Sequence, residues 1–514
     1  MTDGIQYLLP AGTRPTAAVQ LLAARLGVVV DGAAAIERTF YDTFDGRLHA
    51  DGLVLLHADG RLKLADAVGY AERAGASCQR PPARLLVAEL APGPLREALA
   101  PIVEMRALLP TAAVRSRVRG MRVLDGEDKT VVRLALETAA LATAGRPRTR
   151  LRPRLRVAGV RGYDAPLQRV GRTLEHDLGL VVAAEALHEE AVVAGGGRPE
   201  GVTSKPAFAL EPEEPAAVAA ATVLAHLLAT IEVNLPGTLA DVDTEFLHDL
   251  RVAVRRTRSV QRQLAGVFPA ARLARYRREF RWLQQVTGPT RDLDVHLLDF
   301  DHLASMLPDA VAHDLEPLRG VLADHRRDEL ERMLRALRSA RTKRALAGWS
   351  GLIGGLADPP GRGRPDAGRP IAAVAAERIF RVHRRMVRMG RAIDDDSPHE
   401  ALHDLRKKGK ELRYLLELFG SVYPREVTKP MVQALKKLQD VLGRFQDREV
   451  QAALVRSLRD DVAAVAGAAP ALMAMGQLVD ELERDQMAAR AEFAERFDAF
   501  AAKSQRRLVR ETFT

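Results

Sequence analysis

The stretch Glu245-Phe246-Leu247-His248-Asp249-Leu250-Arg251-Val252-Ala253-Val254-Arg255-Arg256-Thr257-Arg258 returns, changed but recognisable, as Glu400-Ala401-Leu402-His403-Asp404-Leu405-Arg406-Lys407-Lys408-Gly409-Lys410-Glu411-Leu412-Arg413. His403 follows His248 by 155 residues, and the same spacing carries Leu283-Gln284 onto Leu438-Gln439, Gly288 onto Gly443 and Asp292 onto Asp447. An offset held without gaps over this length marks an internal duplication. Upstream, Ala216-Ala217-Val218 is echoed by Ala372-Ala373-Val374 at a spacing of 156, which predicts one residue of difference in the connection.

Each copy has the period of a helix. With a turn of about 100° per residue, His248, Arg251, Arg255 and Arg258 fall within an arc of roughly 80°, and Leu247, Leu250 and Val254 lie beside it. His403, Arg406, Lys410 and Arg413 repeat the stripe beside Leu402, Leu405 and Leu412. Asp243 is the expected cap of the first helix. Ser397-Pro398-His399-Glu400 reads as a capping box for the second. A solvated helix face mixes acids with bases at i and i+4; these stripes carry no acid. Stacked like charges cost stability unless an anion lies between them, so the stripes point to an anionic ligand. Arg281 and Lys436, on the next helix of each copy, extend them. Gly288 and Gly443 are expected to end that helix, and Asp292 and Asp447 to cap or to pair with an arginine.

The histidines have three readings: a neutral ring bonded to Asp249 or a neighbouring helix, a phosphate contact whose pKa the ligand raises, or a metal site needing His248 and His403 together with added acids.

The 514 residues allow two to four domains. Hydrophobic content of 47% supports large cores, aromatic content is only 4%, and the formal charge of +10 favours a polyanionic partner. Cys78 is the single cysteine, so an internal disulfide and a cysteine-based zinc site are both excluded. The segment Met1-Thr2-Asp3-Gly4-Ile5-Gln6 shows no secretory pattern. The longest apolar run, Ala216 to Val233, is rich in alanine and holds His226, so a buried helix is expected rather than a membrane span. The expectation is a soluble cytoplasmic protein.

Residues 1–195 read as an α+β domain with a largely antiparallel sheet. Val114 to Leu124 is strand-like with Arg115, Arg117 and Arg119 on one face; Asp125-Gly126-Glu127-Asp128 is a turn, and Thr130 to Glu137 returns. Helices are expected at about 16–26 and 167–179. The Gly/Pro-rich residues 196–215 read as a linker. Two helical repeats follow, 216–350 and 371–505, each expected to form a four-helix bundle, with a loop at 351–370 between them. In the first repeat an alanine-rich helix should stop before Pro236-Gly237, ahead of helices at about 244–265 and 271–286.

Two resemblances add to this. Tyr41-Asp42-Thr43, with Arg61 and Lys63 on the next strand, resembles the CYTH family of triphosphate tunnel metalloenzymes. The resemblance implies a closed antiparallel barrel that binds triphosphate and a divalent metal. That family opens on a Glu-x-Glu-x-Lys strand; here Gly4-Ile5-Gln6-Tyr7 stands in its place and Glu137 is nearly alone among the later strands. A hard cation needs several oxygen ligands and phosphoryl hydrolysis needs the cation, so a barrel without its metal chemistry is expected. The helical half resembles the CHAD family through His-x-x-Arg-x-x-x-Arg/Lys-x-x-Arg, followed in each copy by Gly-x-x-Arg/Gln-Asp. That resemblance implies duplicated four-helix units that bind inorganic polyphosphate in a basic groove and can direct a protein to polyphosphate granules. The groove residues it implies are His248, Arg251, Arg255, Arg258, Arg281, His403, Arg406, Lys410, Arg413 and Lys436.

The expected function is therefore polyphosphate binding, with no cofactor, metal or catalytic residue assigned. The first alternative is a metal-dependent triphosphatase or polyphosphatase run by the N-terminal domain. The second is a nucleic-acid binder by charge alone. The stripes interleave no Trp or Phe, and Tyr414 is the nearest aromatic, whereas binders of single strands usually provide a stacking platform. Charge reversal at Arg251 and Arg406 is expected to abolish binding with helix content unchanged.

Overall fold

The structure is a computed structural model describing residues 4–10, 12–142, 149–206, 208–358 and 363–514. The chain divides into two compact units, Met1–Ser204 and Lys205–Thr514, parting inside the expected 196–215 linker. Residue 207 of that linker and residues 359–362 of the expected 351–370 loop lie outside the described residues.

The first unit is a nine-stranded antiparallel sheet with helices packed on it. Its strands are β1 (Ile5–Leu8), β2 (Val29–Thr43), β3 (Leu53–Ala58), β4 (Arg61–Asp66), β5 (Glu72–Ser77), β6 (Leu108–Leu124), β7 (Thr130–Leu141), β8 (Arg154–Gly159) and β9 (Val181–Val182). The hydrogen-bonded order is β5-β4-β3-β2-β6-β7-β8-β1-β9. The expected hairpin is β6–β7, with Arg119 opposite Leu136 and Arg122 opposite Arg133. The helices are α1 (Pro15–Leu26), α2 (Arg47–Ala50), α3 (Pro94–Val103), α4 (Asp164–Arg172) and α5 (Leu187–Ala194). Closure into a barrel would need β5 and β9 to pair. No such pair occurs among the described residues, and the order is that of a sheet with two edges.

The Tyr41-Asp42-Thr43 segment is bonded internally. The buried Asp42 carboxylate accepts the backbone N–H groups of Thr43 at 2.6 Å, Leu48 at 2.9 Å and His49 at 2.9 Å, which ties β2 to α2. Tyr41 donates its hydroxyl to the Pro82 carbonyl at 2.9 Å. Glu137 pairs with Arg38, and Arg115 pairs on the exposed surface with Glu37 at 2.6 Å. Among the described residues no three His, Cys, Asp or Glu side chains converge as a metal site requires.

The helical unit runs α6 (Ala216–Leu239), α7 (Thr244–Gln263), α8 (Ala270–Val286), α9 (Gly288–Leu298), α10 (Phe300–Ala304), α11 (Asp309–Ala312), α12 (Glu316–Arg338), α13 (Ala340–Gly354), α14 (Ile371–Arg391), α15 (His399–Phe419), α16 (Arg425–Ser457), α17 (Arg459–Ala463), α18 (Ala469–Phe500) and α19 (Lys503–Phe513). The starts of α6, α7 and α8 recur 155 residues later as those of α14, α15 and α16. Pro215 and Pro370 bridge each other: Ala216 donates its N–H to the Arg369 carbonyl and Ile371 donates to Glu214. This reciprocal contact aligns the copies at 155 and removes the one-residue difference read from the alanine echo.

The copies do not hold separate cores. Leu250, Val254 and Phe280 of the first share one cluster with Leu405, Leu412 and Leu438 of the second. A smaller cluster joins Phe300, Leu318 and Leu322 to Leu458, Leu478 and Leu482. Helix α6 is long and apolar enough by composition to cross a membrane, but Val223, Leu224, Leu227 and Ile231 are core side chains of this unit. It continues through Pro236 to Leu239 instead of stopping. Gly237 is required there because a Cβ would lie 2.3 Å from the Phe246 ring.

The two copies differ at the expected glycine stops. In the first, α8 ends at Val286 and α9 starts at Gly288, with Pro289 in its first turn. A proline supplies no N–H for a continuing helix. In the second, Arg444 stands in place of Pro289, and α16 runs unbroken through Gly443 to Ser457. Asp243 caps α7, accepting the N–H groups of Glu245 and Phe246 at 2.9 and 3.1 Å. Ser397 does not cap α15. It exchanges hydrogen bonds with Asp394 instead, and the helix begins after an extended Pro398.

Candidate functional site

Helices α7 and α15 meet in opposite senses. Arg256 pairs with Glu417 at 2.7 Å, and Arg262 with Glu411 at 3.6 Å. At the 155-residue offset Arg256 corresponds to Glu411 and Arg262 to Glu417, so exchanging the copies turns one pair into the other. An approximate two-fold relation therefore passes near Ser259 and Tyr414. The first pair is largely shielded, with 14% and 21% of the two side chains exposed, so its attraction is offset by the cost of taking both charges out of water.

Beside this crossing lies a cleft of about 720 Å³ lined from both copies. Arg255, Arg258, Arg262, Arg277 and Arg281 come from α7 and α8; Lys407, Lys408 and Lys410 come from α15, and Arg385 from α14. Two acids share the lining, and both are engaged: Asp404 with Lys407 at 3.0 Å, and Glu411 with Lys408 at 2.7 Å. Among the described residues no acid pairs with Arg255, Arg258, Arg281 or Lys410. Arg255 and Lys410 are equivalent positions of the two copies, and they face each other. Lys410 is pushed down to about 8 by burial, with Arg406, Arg255 and Arg413 adding to the effect and Asp447 opposing it. Burial also lowers Arg258, helped by Arg281 and Arg262; its guanidinium is held by the Gln284 side chain. Lys410 and Arg258 are thus kept partly dry among like charges, with no acid paired to either among the described residues. An anion bound there would relieve repulsion and gain charge-assisted hydrogen bonds.

Of the ten residues expected in the groove, Arg255, Arg258, Arg281 and Lys410 line the cleft. Arg251 sits deeper and is committed to the fold: its guanidinium donates to the Gln284 carbonyl and to Thr287 Oγ1, both at 3.0 Å. Burial pushes it down to about 10, opposed by Asp292 and aided by Arg255 and Arg291. Arg406 pairs with Asp447 at 3.1 Å, which gives that aspartate the bracing role expected of it. Arg413 is drawn to Glu417 at 2.6 Å, and Lys436 is exposed outside the cleft lining. His403 bonds to the Gln446 side chain. His248 and His403 are not brought together. Each lies eleven residues before the crossing on its own helix, about 16 Å along it, on opposite sides.

Arg262, Arg277, Arg385, Lys407 and Lys408 enlarge the expected set. Arg277 had a signal, one turn before Arg281. Lys407 and Lys408 lie inside the repeated stretch, just off the histidine face. Arg385 had none, since it belongs to a helix outside the motif.

Residues 222–456 match the model of the CHAD domain family. Among solved structures, the CHAD domain from the plant Ricinus communis is 24% identical, covering 59% of this chain and 95% of that one with a TM-score of 0.44. PptA from Streptomyces chartreusis is 18% identical, covering 55% and 99% with a TM-score of 0.42. No curated protein matches the chain. With its repeated histidine and arginine motif and the family match falling on the same helices, the helical unit contains a CHAD domain.

Proposed function

We propose that the helical unit binds inorganic polyphosphate in the cleft between α7, α8, α14 and α15. One observation carries the reading: the lining gathers nine basic side chains against two acids that are already paired. A flexible polyanion without bases needs cations at close spacing and no stacking platform, and Tyr414 is the sole aromatic in that lining. The CHAD family to which residues 222–456 are matched implies the same ligand. Arg255, Arg258, Arg281 and Lys410 contact phosphates directly. Arg251, Arg406, Arg413, Lys436, His248 and His403 act around them, by shaping the site or setting its charge. On this reading the domain holds the protein on polyphosphate granules in the cytoplasm. The N-terminal unit is a relative of the tunnel enzymes that lacks their paired acids, and it serves as a binding or docking module.

The test is affinity for polyphosphate in the full chain and in R255Q/R281Q. Each lost charge-assisted contact is worth about 1.5–3 kcal/mol, so the double variant should bind on the order of a hundredfold or more weakly, with unchanged helix content. Excess duplex DNA at physiological salt should not displace polyphosphate from the wild type. Equal affinity of variant and wild type would refute the site, and displacement by DNA would refute the ligand.

A further inference from the structure

The cleft does not account for all the unpaired cations of the helical unit. Helix α14 carries Arg381, Arg384, Arg385 and Arg388, spaced i, i+3, i+4 and i+7 within an arc of roughly 100°. All four are exposed, whereas Ile379, Val382, Met386 and Val387 on the other side of the helix are buried. Neighbouring charges on α14 are paired, Arg378 with Asp366 at 2.9 Å and Glu377 with Arg369. No acid pairs with the four arginines among the described residues. The row is not inherited from the repeat, because the positions 155 residues earlier are His226, Ala229, Thr230 and Val233.

These arginines line a second depression of about 700 Å³ with Phe380, Phe513, Thr514 and one acid, Glu377, whose carboxylate is already paired with Arg369. Arg385 lines both this depression and the cleft, and Met389, one turn on, also belongs to the cleft wall. The two basic surfaces are thus continuous across a single side chain. Like charges stacked at i+3 and i+4 repel in the free protein, as they do in the cleft.

We infer that the Arg381–Arg388 face of α14 continues the binding track, taking up the phosphates of a chain too long for the cleft and receiving them at Arg385. This rests on the cleft being a polyphosphate site and adds a determinant of chain-length preference. Short chains engage the cleft alone. Long chains engage the cleft and α14, and gain affinity with each added contact.

The experiment compares the full chain with R381Q/R384Q/R388Q, leaving Arg385 in place because it belongs to the cleft. Affinity for tripolyphosphate and for a polyphosphate on the order of a hundred phosphates long is measured by calorimetry at several salt concentrations. The expected result is tripolyphosphate binding within about twofold of wild type and long-chain binding at least about tenfold weaker. The slope of log affinity against log salt should fall by up to about three for the long chain only. Long-chain affinity equal to wild type, or an equal loss for both ligands, overturns the inference while leaving the cleft reading intact. Binding to phosphatidylserine vesicles that the variant loses, with long-chain affinity retained, assigns the face to a membrane surface and overturns it too. A wild type that binds neither phosphate ligand overturns the cleft reading itself, and this inference with it.

Discussion

Lys410 should make the free protein more stable, and the complex weaker, over the same pH interval. The side chain is charged at neutral pH although burial and Arg406, Arg255 and Arg413 lower it from the ordinary lysine value of 10.5 to about 8. Below about 8 both folded and unfolded chains hold the proton, and the folded state carries the full cost of the trapped charge. Between about 8 and 10.5 the unfolded chain binds more protons than the folded one, so stability rises with pH. At about 1.4 kcal/mol per pH unit the gain reaches at most about 3 kcal/mol. A bound phosphate chain restores the charge, so binding takes up a proton in that interval. Affinity should then fall by up to about tenfold per pH unit above 8. The assay pairs denaturant unfolding, followed by helical ellipticity, with calorimetric binding in buffers of different ionisation enthalpy. Both are run from pH 7 to 9.5 on wild type and Lys410→Met. The interval stops below the ordinary tyrosine value of 10, so Tyr7, Tyr41, Tyr70 and Tyr423, all raised by burial, add only a small background that both proteins share. The wild-type profiles should diverge with opposite signs, while the methionine variant is flat in both apart from the shared background. Parallel profiles for the two proteins would show that Lys410 is not held dry beside Arg255, and the account of the cleft would fail.

Two further outcomes concern the scaffold. Arg251→Ala should destabilise the helical unit by about 2–3 kcal/mol, because the Gln284 carbonyl and Thr287 hydroxyl lose a buried charged donor; a denaturation midpoint equal to wild type would contradict this. It also makes charge reversal at Arg251 unsuitable as a clean test of binding, contrary to the expectation from the motif alone. Gly390→Ala should cost about 1–3 kcal/mol, since its Cβ would lie 2.0 Å from the Phe497 ring; an unchanged melting temperature would show that α14 and α18 can part freely.

The helical half was legible because duplication writes the same signal twice. The 155-residue offset, the Asp243 cap and the apolar faces of α7 and α15 are local properties, and they appear where the period puts them. What the motif could not convey was how the helices cross. His248, Arg251, Arg255 and Arg258 look equivalent as a stripe. Yet an antiparallel crossing near Ser259 puts Arg255 and Arg258 at the cleft, sends His248 away from it and sinks Arg251 under Gln284. Arg413 and Arg258 are equal by offset, but Glu417, one turn after Arg413, claims only the former. Arg385 required the tertiary packing of α14 to be noticed at all. In the N-terminal half the β6–β7 hairpin followed from alternation and a turn, whereas the order of nine strands depends on pairings distant in sequence.

The contact of Arg256 with Glu417 and of Arg262 with Glu411 has a consequence for how the two halves recognise each other. At both positions the first half is basic and the second acidic. Two identical first halves brought together this way would set guanidinium against guanidinium, and two second halves carboxylate against carboxylate. At these two positions only the mixed pairing is attractive, so the ion pairs favour a first half meeting a second half over either meeting its own kind, and joining them in one polypeptide supplies the halves one to one. The halves have also diverged at the cleft itself, where the first supplies five of the six arginines of the lining and the second its three lysines.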